Sequence, residues 1–402
     1  MSVYKYIGCI LLVISCMIGG GILALPLLVM QLGLIATAII IVIFYILMTV
    51  SGLLTLESSI QLPEYRNHFT SLAKATAGSW GKYITLVVFA IAIYASLAAY
   101  ISASPDLLLE GIDNFISVKL TSNELSFLFT FVLGIIIVLS MKYAERLNRF
   151  IMTVKLISLV LVILLLSNYI TENKVGAYSV DFSVLPQDVL VVILAFCYQL
   201  LIPSLVNYIG RENGKPLKKV ILISTSITCV IYLLWACAIA GFIHSIPGQE
   251  GSDVTNLSQL VKLLDEDSGS RYIPISIHTF LDVTLFASFI AVSIAFVDFW
   301  IDALNLDWHL KGRIIAGLIA FIPPWFVASY FKQIFLYALS ISGYFGMIYA
   351  LLLPAWAAYR FYNKYYANGS PYFMGNKSTR GFIVILCFVL MILLLAGILS
   401  FK

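Results

Sequence analysis

The sequence predicts an all-α membrane protein of eleven transmembrane helices. Ten of them form two inverted repeats of five, with the first and sixth helices broken, and the eleventh is an addition. Three observations carry this. Hydrophobic residues make up 61% of the 402 residues and charged residues only 11%, whereas a soluble domain is nearer half apolar and a quarter charged. Apolar runs long enough to cross a bilayer, about 20 residues each, recur along the whole chain. Two of those runs, five spans apart, are interrupted at mid-span by glycine or proline.

The runs place spans near 5–29, 34–56, 82–104, 125–141, 147–166, 188–208, 220–243, 275–301, 313–329, 334–358 and 381–401. No linker or low-complexity stretch divides them, so residues 1–402 read as one transmembrane domain. The loops set the orientation. Numbered alternately from the N-terminus, one set of loops holds 17 Lys and Arg, among them Lys5, Arg66, Lys142, Arg211, Lys218, Lys311 and Arg380. The other set holds 6, and Lys155 lies inside a span. The basic set belongs in the cytoplasm, which puts the N-terminus inside and the C-terminus in the periplasm. The first apolar run is too long for a signal peptide and ends in Pro26 with no small-residue cleavage site, so it reads as a retained span. The longest outer loop, about 244–274, is acidic, and Leu257–Leu264 carries apolar residues near helical spacing, which predicts a short surface helix. Cys9, Cys16, Cys197, Cys229, Cys237 and Cys387 all lie in apolar segments without a CxxC pair and read as packing residues. His68, His244, His278 and His309 are scattered, which offers no metal centre.

The first break is Ile18-Gly19-Gly20-Gly21-Ile22-Leu23-Ala24-Leu25-Pro26. Three glycines and a proline do not sustain a helix. Hydrocarbon gives a free backbone group no partner, so a break at this depth belongs where protein shields it or where it lines a cavity. The sixth span is broken at Phe196-Cys197-Tyr198-Gln199-Leu200-Leu201-Ile202-Pro203-Ser204. Five is odd, so a second five-span unit inserts upside down relative to the first. This gives an inverted repeat of about 4–168 and 186–360, with an extra helix at about 379–402. Paired broken segments in corresponding positions point to a transporter site, as in the LeuT-type fold. Two ordinary proline kinks in a bundle are the plainer alternative.

Such a site suits a polar substrate, whose anionic groups must find donors and whose cationic groups must find acceptors once it leaves water. The helix that resumes after Gly19, Gly20 and Gly21 offers free N–H groups and a positive dipole end for a carboxylate. The half-helices ending near Met17 and Phe196 offer carbonyls for an ammonium. Close helix packing is the other use of such glycines. Lys155 lies about eight residues into span five, roughly 12 Å deep. An isolated ammonium there is costly, so it needs oxygens or it loses its proton.

Several motifs carry a family resemblance. Ser15-Cys16-Met17-Ile18-Gly19-Gly20-Gly21-Ile22-Leu23-Ala24-Leu25-Pro26 resembles the Gly-Thr-x-Ile-Gly-x-Gly-Met-Leu-Ala-Leu-Pro segment of the hydroxy/aromatic amino acid permeases, and within them the tyrosine-specific permeases. Tyr94-Ala95-Ser96-Leu97-Ala98-Ala99-Tyr100-Ile101-Ser102 is similar to their third span. Pro203-Ser204, Ser288-Phe289-Ile290-Ala291-Val292-Ser293, Phe321-Ile322-Pro323-Pro324 and Leu336-Tyr337-Ala338-Leu339 follow in the family's order. The chain departs from the pattern at Ser15-Cys16, where the family has Gly-Thr, at Cys197-Tyr198-Gln199, where it has Gly-x-His, and at Ala287, where it has Thr.

The resemblance implies import of an aromatic amino acid with a proton across the bacterial inner membrane, on the LeuT-type fold. Tyrosine is favoured, then tryptophan or phenylalanine. It brings Cys197 and the side chains of Tyr94, Tyr100, Tyr198, Gln199 and Phe289 to the expected pocket, where an aromatic substrate stacks on rings and Gln199 can hydrogen-bond a phenol or an indole N–H. Sodium-coupled relatives of the fold hold a sodium ion between spans one and eight, and proton-coupled or ion-independent ones hold a span-five lysine there. Lys155 therefore belongs against the carbonyls of Ser15 and Ile18 and beside Ser288, either titrating or serving as a fixed tether. The coupling ion is a proton, sodium is not expected, and no cofactor is implied. The partners are the amino acid and the bilayer, with no nucleic acid. Asp298 and Asp302, four apart on one face of span eight, read as an inner-gate contact or a proton relay.

A serine/threonine permease or an exchanger on the same fold are the alternatives within the class. A polytopic membrane enzyme is the alternative outside it. Such an enzyme needs a cluster of His, Asp or Glu at the membrane face, and the sequence shows none.

Overall fold

A computed structural model describes residues 3–63, 66–113, 121–139, 141–166, 185–245, 272–331, 334–362 and 376–400. The helix proposed within the acidic loop 244–274 lies outside the described residues. Thirteen α-helices are described, and we number them in chain order. Helix α1 is Val3–Met17 and α2 is Gly20–Gln61. Then come α3, Phe69–Asp113, α4, Ser122–Leu139, and α5, Met141–Leu166. Helix α6, Leu185–Ala195, is separated by a short 3₁₀ turn from α7, Ile202–Ile209. The rest are α8, Gly214–Ser245, α9, Tyr272–Leu304, α10, Leu310–Tyr330, α11, Phe335–Met347, α12, Leu353–Arg360, and α13, Lys377–Ser400.

Among the described residues ten helices are long and apolar enough to cross a membrane, and Tyr4–Met17 is a shorter apolar helix before them. This is a multi-pass membrane protein. The first break falls where the glycines predict it, between Met17 and Gly20. Helix α2 then carries both the rest of the first span and the whole of the second. They meet at Gly33, whose φ of 79° is open to glycine and strained for other residues.

Burial follows position in the bundle. The α6–α7 segment and α9 are almost wholly buried, while α13 is mostly exposed to the lipid side. Helix α2 packs along α8 and against α6. Helix α3 packs on α9, α10 and α11, and α5 runs along α9. The broken segments thus sit at the centre.

Prolines inside these helices each release the carbonyl four residues earlier, since proline has no N–H to donate. In hydrocarbon that oxygen must find another donor. Pro26 frees Ile22, whose carbonyl accepts from Trp235 Nε1 at 3.1 Å. Pro105 frees Ile101, which accepts from Ser104 Oγ at 2.9 Å. Pro323 frees Ile319, which accepts from the Tyr94 hydroxyl at 2.7 Å. Pro354 follows a π-helical turn at Ile348–Leu352, and the carbonyl it frees, Ala350, accepts from Ser51 Oγ.

Candidate substrate site

The two breaks lie back to back. A Cβ on Gly21 would stand 2.5 Å from both Cα and Cβ of Ala195, so only glycine allows the resuming half of span one to touch the end of α6. At the first break Gly19 caps α2 with φ −128° and ψ −145° and no side-chain bond, and its own N–H turns back to the Met17 carbonyl at 2.7 Å. The amides of Gly20 and Gly21 therefore open a helix without a side-chain cap, an arrangement suited to an anion. Tyr100 lies against the break, its hydroxyl 3.2 Å from where a Cβ on Gly19 would stand and its ring edge 3.2 Å from where one on Gly20 would. At the second break Phe196, Cys197 and Tyr198 lie outside any helix, between the end of α6 and the turn at Gln199–Leu201.

The carbonyls at these ends meet specific donors. Lys155 is completely buried and its Nζ donates to the carbonyls of Ile18 and Ser15, the latter at 3.4 Å. Ser288 Oγ lies 3.3 Å from the same Ile18 carbonyl and 2.7 Å from that of Thr284. The Tyr232 hydroxyl lies 2.6 Å from the Met17 carbonyl and 2.9 Å from that of Ala195. Cys16 Sγ is 3.8 Å from the Cys197 carbonyl, and Cys197 Sγ is 3.2 Å from the Tyr349 hydroxyl. The centre of the protein is thus a polar cluster of one lysine, two thiols and three phenols around two broken helices. It offers amide donors at one end and carbonyl acceptors at the other, which is what a zwitterion requires.

The structure brings Ser15, Met17, Ile18, Gly19, Gly20, Gly21, Tyr100, Lys155, Phe196, Cys197 and Ser288 together. Four residues expected at the pocket turn elsewhere. Tyr94 spends its hydroxyl on the Ile319 carbonyl freed by Pro323, and its ring lies against Phe296. Phe289 packs on Phe129 and Phe321, away from the breaks. Tyr198 and Gln199 both reach the Met48 carbonyl of α2, at 3.2 Å and 3.1 Å. Tyr232 and Tyr349 belong to none of the sequence motifs. Each is a mid-span tyrosine whose polar tip must find a partner when buried, the one signal that could have found them.

Asp298 and Asp302 are engaged at the far end of α9. Asp298 pairs with Arg313 at 3.5 Å. Asp302 accepts from Thr70 at 3.0 Å and from Ser71 at 2.8–2.9 Å. Both carboxylates tie α9 to neighbouring elements. A separate cavity of about 350 Å³ runs between α4 and α10, lined by apolar side chains such as Phe131, Ile135, Leu318 and Ile322. Its lining is apolar and offers a zwitterion nothing.

The sequence model of the tryptophan/tyrosine permease family matches residues 3–395. The chain belongs to that family. As a permease it is a transport protein and not an enzyme. It is 31% identical to tyrosine-specific transport system 1 of Haemophilus influenzae over 365 residues, covering 89% of each chain. It is 24% identical to glutamine transporter 2 of Aliivibrio fischeri over 352 residues, covering 87% of the permease and 88% of the relative. Among solved structures, MhsT in complex with L-phenylalanine superposes with a TM-score of 0.62 at 15% identity, over 97% of the permease and 98% of that chain. At that identity the likeness is one of fold.

Proposed function

We propose that the permease imports an aromatic amino acid, tyrosine ahead of tryptophan or phenylalanine, by proton symport with alternating access. The observation that carries the coupling is Lys155 on the carbonyls of Ser15 and Ile18, with Ser288 beside it. A proton reaching Lys155 charges it and favours this contact, and loss of the proton loosens it. That is the differential stabilisation a coupled conformational change needs. A sodium ion within 4 Å of a charged lysine would be repelled by about 4 kcal/mol even at an effective dielectric of 20. Sodium and the ammonium therefore do not share this volume.

The architecture we infer is eleven spans, with inverted repeats at about 4–168 and 186–360 and an added helix at about 379–402, in one domain. The breaks five spans apart and the peripheral position of α13 support it. The basic loops support an N-terminus in the cytoplasm and a C-terminus in the periplasm of a bacterial inner membrane. The carboxylate sits at the amides of Gly20 and Gly21, with Tyr100 beside it, and no cofactor is needed.

Tyrosine comes first because of the relative named for it and the tyrosine-lined cluster at the breaks. A permease for small hydroxy amino acids, or an exchanger, is the competing reading, and a family relative named for glutamine keeps substrate choice experimental. Uptake of labelled tyrosine into proteoliposomes, challenged with excess tryptophan, phenylalanine, serine and glutamine, tests it. Competition by the aromatic amino acids above serine and glutamine is expected, and the reverse order overturns the substrate assignment.

A further inference from the structure

We propose that Tyr232 is a substrate-binding residue: its hydroxyl, with the carbonyls of Met17 and Ala195, forms a three-oxygen seat for the substrate's α-ammonium. This rests on the reading of the two breaks as the amino acid site.

Tyr232 lies in the middle of α8, on neither broken segment, and is fully buried with its ring edge-on to Phe196 at 5.0 Å. Its hydroxyl stands 2.6 Å from the last carbonyl of α1 and 2.9 Å from the last carbonyl of α6. Two half-helices therefore aim their negative ends at one oxygen. A phenol has a single proton, so it can serve only one of these carbonyls at a time, and its own lone pairs remain open. Lys155 goes instead to Ser15 and Ile18, and the Cys16 thiol to Cys197. The Met17 carbonyl also takes the Gly19 N–H at 2.7 Å, so two donors meet the lone pairs of three oxygens, and the seat keeps more acceptor sites than donors. An ammonium, with three N–H groups and no acceptor, is its complement. The placement also fits one small molecule. Gly21 touches Ala195, and Gly20 opens the same break that Met17 closes, so the anion end and the cation end of an α-amino acid fall within one residue's reach.

The test is binding to purified permease of L-tyrosine and L-tryptophan, each compared with its desamino analogue, which keeps ring and carboxylate but lacks the ammonium. Tyr232→Phe keeps the ring and removes only the oxygen. The seat predicts that Tyr232→Phe weakens amino acid binding about tenfold or more, the usual effect of losing a hydrogen bond to a charged group, and leaves the desamino analogue unchanged. A merely structural tyrosine would weaken both probes alike or neither, and either result overturns the seat. Should the variant not fold, 3-fluorotyrosine at position 232 keeps the shape. Its fluorine resonance should move with the amino acid and stay with the desamino analogue. An equal response to both contradicts the proposal, as does a seat filled by sodium, seen as the same fluorine shift with sodium chloride alone. If the unaltered permease binds neither amino acid, the amino acid reading itself fails before any variant is made, and the seat falls with it.

Discussion

Lys155 of α5 donates to the carbonyl of Ile18, at the point where the first membrane helix breaks. A lone ammonium at the bilayer centre costs about 2.5–3.5 kcal/mol or more. Here it meets the oxygens that the break sets free, and so two costly features offset each other. The lysine also joins α5 to the broken end of α1, and under the proposed symport it is the group whose charge would hold them together or release them.

Gly20 and Gly21 should respond differently to a methyl group. At Gly21 the new Cβ meets the backbone of Ala195 at 2.5–2.9 Å, and a backbone cannot step aside. At Gly20 it meets side chains only, the flexible end of Leu339 at 3.0–3.1 Å and the ring edge of Tyr100 at 3.2 Å, each of which can give by a few tenths of an ångström. Uptake should fall at least tenfold in Gly21→Ala and much less in Gly20→Ala, with both proteins reaching the membrane. Gly20→Leu and Gly21→Leu should both abolish it. Uptake by Gly21→Ala equal to that of the unaltered protein would show that the two breaks need not touch.

Tyr94→Phe separates the proline-carbonyl role from a substrate role. It leaves the Ile319 carbonyl without its donor. Interhelical hydrogen bonds of this kind contribute about 1 kcal/mol in membranes. A lowered melting temperature in detergent with an unchanged KM for tyrosine is expected. A large rise in KM at unchanged stability would return Tyr94 to the pocket.

The buried ion pair between Arg380 of α13 and Glu57 of α2, at 2.9 Å, fastens the peripheral helix to the bundle. Glu57→Ala leaves a guanidinium buried without its carboxylate and should destabilise the protein by about 3–5 kcal/mol. Thermal unfolding monitored by exposure of buried cysteines measures this. A change below 1 kcal/mol would mean water or lipid headgroups reach Arg380.

The breaks were legible in the sequence because glycine triplets and mid-span prolines have few uses in a membrane helix. Lys155 was legible because a buried ammonium must find oxygen, and the family pattern names which. Tyr94, Phe289, Tyr198 and Gln199 were harder. Their spans were right, but the sequence does not say which face of a span looks inward. For Tyr94 the rule was present, since Pro323 must free Ile319, yet pairing that carbonyl with a tyrosine of α3 requires knowing which helices are neighbours. Tyr232 belongs to no motif; as a mid-span tyrosine it must find a polar partner when buried, but the partner shows only where two half-helix ends converge on it.

The most direct test of the account is uptake of labelled tyrosine into proteoliposomes under an imposed pH gradient, acid outside, in sodium-free buffer. Unaltered permease should accumulate tyrosine above equilibrium and lose that accumulation when a protonophore collapses the gradient. Lys155→Ala should no longer respond to the gradient while still binding tyrosine. A strict sodium requirement in the unaltered protein, or undiminished gradient-driven uptake in Lys155→Ala, would contradict the assignment of coupling to Lys155.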